Sequence, residues 1–324
     1  MEEATSAVQR RIARYRAEMI FQARLFPRIH TLFQRYLARP ADTPDRLLAL
    51  QRRRLTRTLD HARARVPAYH GSVGAGGNPD PWRVLAGFPL VTKAELRERL
   101  SDHCDDRIDP RRCRSVKTSG TTGEPLRIVH DFDHLCHAYA LGLVRAHQDG
   151  LPLDRRILYP FHTALDRWFE YTAPAYGLAR IAEFGALGDD AYWADVVRRV
   201  RGYRPHVVVG HPTRCLELAD LLEGAGGLGF RPPRLISTWG ERLSAGGARR
   251  LSEFFQAPVR DSYGMSEVGT IAGQCEHGNY HVEAERLWVE ILSDTGAPVA
   301  PGEIGEVVLT NLINRAMPLV RYRT

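Results

Sequence analysis

The sequence lacks the long apolar runs that mark membrane and secreted proteins. None of its 324 residues belongs to an apolar stretch that approaches the ~18 residues of a membrane-spanning helix. The N-terminal decapeptide MEEATSAVQR is polar and has no apolar core of a secretory signal. We therefore predict a cytoplasmic location and no membrane partner.

Cysteine is scarce, and the sequence contains no internal repeat and no low-complexity segment. The five cysteines are odd in number and widely scattered, at Cys104, Cys113, Cys136, Cys215 and Cys275. This distribution indicates reduced thiols rather than a disulfide framework. With 44% hydrophobic and 26% charged residues, the composition is that of one large globular domain or two.

The net charge is +7, and much of the excess lies in the first 70 residues. Arginines there alternate with apolar residues at helical spacing, which favours solvated helix faces over a binding arm. The alternative, nucleic-acid binding through these helices, predicts an affinity that falls steeply with salt. No nucleic-acid motif accompanies the arginines, so we predict no nucleic-acid partner.

The first 110 residues are predicted to be mainly helical. Apolar residues from Leu48 to Val66 recur at intervals of seven, four, three and four, which predicts one buried face of a helix over 44–66. Pro67 ends that helix. Thr92 and Glu95 form a capping-box pattern that predicts a short helix through Leu100.

Residues 111–284 are predicted to form an α/β nucleotide-binding core. After two strands at 115–117 and 126–129, short β-branched runs alternate with helices. The predicted strands are 156–159, 207–210, 235–238 and 259–262, and the predicted helices are 192–202, 213–223 and 245–255. This alternation is typical of mostly parallel sheets flanked by helices, where ligands bind at the C-terminal ends of strands.

Residues 285–324 are predicted to form a small antiparallel β unit. The predicted strands are 287–292, 306–311 and 319–322, with glycine and proline between them. The fold class is thus α/β, with a small antiparallel unit at its C-terminal end.

A loop at residues 118–125 has the composition of a phosphate site. Its first six residues are Thr118, Ser119, Gly120, Thr121, Thr122 and Gly123. Glycines let the backbone turn and expose its N–H groups, and hydroxyls add donors, so the loop is suited to phosphate oxygens. It is not a GxxxxGK[ST] loop, and a plain hairpin turn is the alternative.

Several motifs in a fixed order make the sequence resemble the adenylate-forming superfamily. Residues 118–125 resemble its [ST]-[ST]-G-[ST]-T-G-x-P loop, and 239–242 (WGER) resemble its adenine-contacting Gly-Glu turn. Residues 261–267 (DSYGMSE) resemble its Y-G-x-[ST]-E motif. Residues 302–308 (GEIGEVV) resemble its G-E-x-G-E segment, and 321–324 (RYRT) the start of its Y-R-T-G-D segment.

Three further segments narrow the resemblance to the phenylacetate–CoA ligase-like branch. These are VPAY at 66–69, PLVTK at 89–93 and MPLVRYRT at 317–324. The resemblance implies the large N-terminal domain of the adenylate-forming fold. It also implies ATP and Mg²⁺ as cofactors and activation of a carboxylic acid as an acyl-adenylate, with coenzyme A as the expected acceptor. A carrier-protein thiol or an amine is the alternative acceptor.

The resemblance also assigns roles to individual residues. The loop from Thr118 to Gly123 would hold the β- and γ-phosphates, and Ser266 and Glu267 would be catalytic. Ser266 would contact the α-phosphate and Glu267 would help to bind Mg²⁺. The remaining predicted nucleotide contacts are Gly240, Glu241, Asp261, Tyr263 and Gly264.

Two features depart from the family pattern. Glu124 stands where many relatives have lysine, and we interpret it as an outward-facing position. The sequence ends at Thr324, before the Gly-Asp and the mobile C-terminal domain that the family has. We therefore expect a truncated chain with impaired activity. A natural stand-alone domain, inactive or completed in trans, is the alternative, as is a nucleotide-binding module that has lost its chemistry.

Two further sites are predicted less directly. Cys275, His277 and His281 are possible ligands of a structural zinc, with polar loop residues as the alternative. For the acid, Phe161 and His162 and the aromatic residues at 168–171 lie near where relatives line the acyl site. An aromatic cluster of this kind is more often core than pocket, and if it lines the site it favours an aryl or arylalkyl acid. His211 follows a predicted strand and is a further candidate for the acid pocket. The sequence predicts neither the acid itself nor the oligomeric state.

Overall fold

The computed structural model describes residues 2–38, 43–72, 80–110, 113–117, 126–163, 167–186 and 188–324, without the side chains of 2–19, 162 and 163. The chain forms two compact units. The first unit comprises Met1–Ala38, Tyr139–Gly264 and Ala272–His281. The second unit comprises Arg39–Ala138, Met265–Ile271 and Val282–Thr324.

The described residues form eight α-helices and thirteen strands. The helices are α1 (Glu2–Leu37), α2 (Pro44–Arg65), α3 (Pro81–Ala86), α4 (Lys93–Glu98), α5 (Phe132–Gln148), α6 (Asp190–Tyr203), α7 (Pro212–Gly224) and α8 (Ala245–Phe255). The first strands are β1 (Arg114–Lys117), β2 (Arg127–His130), β3 (Arg156–Thr163), β4 (Phe169–Ala173), β5 (Ala179–Gly185), β6 (Val207–Gly210) and β7 (Leu235–Trp239). The others are β8 (Val259–Met265), β9 (Gly269–Gln274), β10 (Tyr280–Val282), β11 (Leu287–Leu292), β12 (Glu306–Asn311) and β13 (Tyr322–Arg323).

An eight-stranded sheet, in the order β10-β9-β8-β7-β6-β3-β5-β4, has its main body in the first unit. The neighbouring strands β5, β3, β6, β7 and β8 pair in parallel, and β4 pairs antiparallel with β5. Buried side chains of the strands and of α6, α7 and α8 form one core, for example Leu158, Val208, Leu218 and Leu251. Burial on both faces explains why the parallel strands are continuous apolar runs, as in VVVG at 207–210.

The second unit combines helices with antiparallel strands. β1 pairs with β2, and β11, β12 and β13 form a three-stranded sheet. Helix α2 buries Leu55, Leu59 and Ala62 in the core of this unit. Helix α4 begins at a capping box in which the Thr92 side chain accepts from the Glu95 N–H and the Glu95 carboxylate accepts from the Thr92 N–H.

These elements confirm the predicted fold class and most of the predicted helices and strands. Two details were wrong. Leu48, predicted on the buried face of α2, is 46% exposed. The strand predicted at 319–322 is reduced to Tyr322–Arg323, because Arg321 has a φ of +50°, which an extended strand does not allow.

Two other expectations bear on the architecture. Across the described ranges, every helix is too short or too polar to cross a lipid bilayer. The domain boundaries predicted at residues 110 and 284 stay a prediction. The two units given above are divided at other residues.

Candidate active site

The turn that follows β7 depends on a glycine. Gly240 has a φ of +81°, a left-handed conformation that residues with a side chain rarely adopt. A Cβ at this position would lie 3.0 Å from Cε1 of His211, so the imidazole would have to move by a few tenths of an ångström to accept it. Gly240 therefore permits the chain to turn closely against His211, and Glu241 follows directly.

Asp261 in β8 is a buried carboxylate with two hydroxyl donors. Because β7 and β8 are parallel with Thr238 opposite Asp261, the Thr238 hydroxyl donates to Oδ1 at 2.5 Å. The Tyr280 hydroxyl donates to Oδ2 at 2.6 Å. Burial, followed by the Asp261 carboxylate, raises the pKa of Tyr280 to about 12, so this hydroxyl stays protonated at neutral pH.

A cavity of about 580 Å³ lies at these strand ends in the first unit. Its lining residues are Gly240, Glu241, Arg242, Leu243, Asp261, Ser262, Tyr263, Gly264, Ala272 and Tyr280. The structure thus brings together five predicted nucleotide contacts: Gly240, Glu241, Asp261, Tyr263 and Gly264. The volume is in the range of small-molecule sites, roughly 300–1,000 Å³.

A second cavity of about 290 Å³ lies at the ends of β3 and β6. It is lined by Pro160, Phe161, Val209, Gly210, His211, Arg214 and Glu241. Two residues of the predicted acid pocket, Phe161 and His211, therefore line the same cavity. The side chain of the third, His162, lies outside the described residues. Glu241 borders both cavities.

Glu241 is held by the segment that begins α7. Its Oε1 lies 3.2 Å from Nδ1 of His211, and its Oε2 accepts from the Thr213 hydroxyl at 2.8 Å and the Thr213 N–H at 3.3 Å. Burial alone would raise the pKa of Glu241, but the hydrogen bonds from Thr213 and His211 outweigh it and lower the pKa. An ionised Glu241 thus fixes the position of His211.

The aromatic stretch after residue 167 packs into the core. Trp168 stacks on Phe184, with ring centroids 6.0 Å apart and planes 5° apart, and meets Tyr203 edge-on. It belongs to the partly buried residues around the core of the first unit. The core interpretation of this stretch is therefore correct for Trp168.

Glu267 is a buried carboxylate in the second unit, beside an exposed Ser266. Its Oε1 accepts from the Tyr322 hydroxyl at 3.2 Å and lies 3.8 Å from Nζ of Lys93. Its backbone carbonyl accepts from Nε2 of His130 at 3.1 Å. Burial and the neighbouring Glu267 carboxylate raise the pKa of Tyr322, so the phenol remains a donor.

Sequence reasoning did not assign roles to these three partners of Glu267. Lys93 and Tyr322 stand inside the segments PLVTK and RYRT that carry the family resemblance, so a signal for them existed. His130 had no such signal, because it lies in a short strand without a motif.

The described residues include no group of three or more His, Cys, Asp or Glu side chains arranged to hold a metal. Cys275 is half-buried, and His277 and His281 are exposed at and beyond the Cys275–Asn279 turn. The predicted zinc ligands therefore do not form such a group. A single carboxylate such as Glu267 does fit Mg²⁺, which takes one or two carboxylates together with phosphate oxygens and water.

The predicted phosphate loop lies outside the described residues. This applies to Thr118, Ser119, Gly120, Thr121, Thr122 and Gly123, and also to Glu124. The flanking strands β1 and β2 are antiparallel, with Lys117 opposite Arg127. The role of the loop stays a prediction.

Comparison with solved structures defines the class of fold. The chain is similar to an open conformation of 2-hydroxyisobutyryl-CoA ligase in complex with 2-HIB-AMP and CoA. The TM-score is 0.68 at 20% sequence identity, over 88% of this chain and 68% of the other. The described fold is thus that of the N-terminal domain of an adenylate-forming protein. Residues 116–312 match the family described as AMP-binding enzyme, and the chain belongs to that family.

Curated relatives point to the same branch as the sequence motifs. The phenylacetate-coenzyme A ligase of Escherichia coli (strain K12) is 28% identical in an alignment of 299 positions that covers 86% of this chain and 66% of the relative. The phenylacetate-coenzyme A ligase of Thermus thermophilus is 26% identical over 86% of this chain and 65% of the relative. The chain therefore spans just under two thirds of the length of these relatives.

Proposed function

We propose that the protein uses ATP to activate a small carboxylic acid as an acyl-adenylate and then transfers the acyl group to coenzyme A. The observation that carries this proposal is the cavity of about 580 Å³, where five residues of the nucleotide motifs share one wall. Membership of the AMP-binding enzyme family and similarity to coenzyme A ligases support it.

In the first step a carboxylate oxygen attacks the α-phosphorus of ATP. The bond from that phosphorus to the bridging oxygen breaks, and pyrophosphate leaves with the electron pair. A carboxylic acid is already ionised near neutral pH, so no general base is needed. In the second step the thiol sulfur of coenzyme A attacks the acyl carbonyl, loses its proton, and AMP leaves. Positioning and charge stabilisation carry most of the rate enhancement in such phosphorus chemistry.

The residues of the first unit have the chemistry to hold the nucleoside. Tyr263 is 43% exposed, so its ring face is available for stacking on adenine. Gly240 and Glu241 border the cavity beside it. Both carboxylate oxygens of Asp261 accept hydrogen bonds, from Thr238 and Tyr280. We therefore assign Asp261 a structural role in the lining of this cavity.

In the second unit, we assign a Mg²⁺ ligand to Glu267 and an α-phosphate contact to Ser266. When bound, Mg²⁺ neutralises charge on phosphate oxygens. The Tyr322 hydroxyl at 3.2 Å and Lys93 at 3.8 Å hold the Glu267 carboxylate in position. The residues from Thr118 to Gly123 are proposed to hold the β- and γ-phosphates. Zinc is not part of the proposal.

For the acid, we propose an aryl or arylalkyl carboxylic acid bound in the cavity of about 290 Å³. Phe161 offers an apolar ring, and His211 is held by Glu241 where it can face the ligand. The limited volume favours a small acid over a long fatty acid. Coenzyme A is preferred as acceptor because the names of the relatives include it.

The test is acid-dependent ATP–pyrophosphate exchange with aryl, arylalkyl, amino and fatty acids. Exchange with aryl or arylalkyl acids alone would support the proposal, and exchange that depends on fatty acids would reject the acid class. ATP binding without exchange would favour a nucleotide-binding module without catalysis. A separate assay of acyl transfer, with coenzyme A, an amine or a carrier-protein thiol as acceptor, would identify the acceptor.

Two variants test the assigned residues. Glu267→Gln should strongly reduce Mg²⁺-dependent exchange while the fold is retained, and unchanged exchange would remove the assignment. Replacing Thr121 and Thr122 with alanine should weaken ATP binding, and undiminished affinity would argue against the phosphate loop.

A further inference from the structure

Two buried side chains hold the backbone of the turn that carries Glu267. Nε2 of His130 lies 3.1 Å from the carbonyl oxygen of Glu267. The Arg286 guanidinium donates to two further turn carbonyls, from Nη1 to Val268 at 2.8 Å and from Nη2 to Thr270 at 2.6 Å. Three carbonyls within four residues are thus satisfied by two side chains from distant parts of the sequence.

The guanidinium of Arg286 is held in one position by burial and by an ion pair. Its side chain is fully buried, and its Nε donates to Oε2 of Glu283 at 2.7 Å. Glu283 is also buried, so the ion pair neutralises the guanidinium away from solvent. The planar fork of arginine can bind a carboxylate and two carbonyls at the same time, which a lysine ammonium of the same charge does less well.

His130 is fixed by a second histidine. The ring of His134 lies 4.5 Å from that of His130, and its Nδ1 lies 3.2 Å from the amide nitrogen of Asn311. A carbonyl can only accept, so His130 carries its proton on Nε2.

The turn itself has little intrinsic preference for this shape. Gly269, which lies between the two carbonyls bound by Arg286, has a φ of +77°. Glycine loses much conformational freedom on folding, so the turn requires external contacts to stay in one conformation. The direction of the Glu267 side chain follows from its backbone, and the contacts of His130 and Arg286 determine that backbone.

We propose that His130 and Arg286 are positioning residues that preset the Glu267 carboxylate for a divalent cation. They act on the backbone of the turn and do not touch the ligand. This inference rests on the proposed function, in which Glu267 binds Mg²⁺. It adds two residues that no motif of the sequence indicates.

The experiment compares His130→Phe, Arg286→Lys and a control variant, His103→Phe. His103 is also a buried histidine of the second unit, but it packs on Tyr69 and, within the described ranges, makes no hydrogen bond to the turn. His130→Phe leaves the Arg286–Glu283 pair intact, so it serves even if Arg286→Lys does not fold. His130→Gln retains an N–H donor and is the rescue variant.

Two measurements are made at pH 8. Water-proton relaxation reports the binding of Mn²⁺–ATP, with Glu267→Gln as the reference for loss of the ligand. Hydrogen–deuterium exchange of the peptide that contains residues 266–270 reports the order of the turn. We expect His130→Phe and Arg286→Lys to weaken Mn²⁺–ATP binding by roughly 10-fold or more, as for residues that orient metal ligands. The same two variants should exchange faster in this peptide, His130→Gln should restore much of both values, and His103→Phe should change neither.

The outcomes separate the two proposals. If Glu267→Gln weakens Mn²⁺–ATP binding and His130→Phe and Arg286→Lys do not, the positioning role is wrong and the proposed function stands. Equal weakening by His103→Phe would also overturn it, because any buried substitution would then have the same effect. If Glu267→Gln does not alter Mn²⁺–ATP binding, the metal role of Glu267 is wrong, and this inference is rejected with it.

Discussion

The carboxylate of Glu241 lies 3.2 Å from Nδ1 of His211, and Glu241 borders both cavities of the first unit. One side chain therefore links the wall of the proposed nucleotide site to the wall of the proposed acid site. The Thr213 hydroxyl also donates to Oε2 of Glu241, at 2.8 Å. Changes at Glu241 are expected to affect stability and both ligands.

We predict a pH-dependent stability difference between the wild type and Glu241→Gln. The folded-state pKa of Glu241 lies below its usual value, so the ionised form contributes stability above the unfolded pKa of ~4.3 and loses it as the pH falls through the folded pKa. Because the side chain is 39% exposed, the contribution at pH 7 is about 0.2–1 kcal/mol after solvent screening. Urea denaturation at pH 7 and pH 3 measures it.

Thr213→Val provides the companion measurement. This variant removes one hydroxyl donor to Glu241 but retains the backbone N–H. At pH 7 it should lose less stability than Glu241→Gln, and this loss should also diminish at pH 3. A stability difference for Glu241→Gln that is equal at both pH values would contradict the assignment of this loss to an ionised carboxylate.

We predict that Gly240→Ala destabilises the protein and impairs ligand binding at both cavities. The left-handed backbone costs about 1–2 kcal/mol for a residue with a Cβ, and the new methyl group would lie 3.0 Å from the His211 ring. Urea denaturation gives the stability, and equilibrium dialysis with ATP gives the nucleotide affinity.

Gly246→Ala is the matched control. Gly246 lies in α8, and a Cβ there would meet nothing within 4 Å. Alanine is the better helix former, so this change is expected to be neutral or stabilising by up to about 1 kcal/mol. Equal losses for the two glycine variants would show that the close approach to His211 is unimportant.

The sequence predicted the fold better than the contacts of the site. Strands such as Val207–Gly210 and helices such as α8 are defined by local apolar patterns, which do not depend on distant residues. Gly240, Asp261 and Tyr263 belong to local motifs, so their common cavity could be anticipated. The His130–Glu267 contact joins residues 137 positions apart, and no local pattern contains that information.

The strand predicted at 319–322 illustrates another limit. Leu319, Val320 and Tyr322 are suited to a strand, but Arg321 has a left-handed backbone and its carbonyl accepts from the Val91 N–H. Its side chain also pairs with Glu290, at 3.3 Å. These tertiary contacts override the local preference for an extended chain.

Acid should destabilise the second unit partly through His103. This histidine is buried, and burial lowers its pKa more than Glu95 and Asp102 raise it. The unfolded chain therefore binds the proton first, and stability is expected to decrease as the pH falls from about 6.5 toward the folded pKa. His103→Phe removes this proton uptake, so the variant should lose less stability than the wild type between pH 8 and pH 5.5. Parallel slopes in urea denaturation series would contradict this.

A double-mutant cycle tests the coupling between Tyr280 and Asp261. The Tyr280 hydroxyl donates to Oδ2 at 2.6 Å, while Thr238 retains Oδ1. We predict that Tyr280→Phe destabilises the wild type by about 1.5–3 kcal/mol, the range for a hydrogen bond to a charged group. In an Asp261→Asn background the same change should cost roughly half as much, because the acceptor is neutral.

The cycle requires urea denaturation of four proteins, together with ATP affinity for each. Both residues line the cavity of about 580 Å³, so loss of the contact should weaken ATP binding as well as stability. If Tyr280→Phe costs the same in both backgrounds, the hydroxyl stabilises the protein independently of the charge on Asp261. If stability falls without a change in ATP affinity, Asp261 and Tyr280 support the fold but not the nucleotide site, and the adenine contact must then rest on Tyr263 and Gly240.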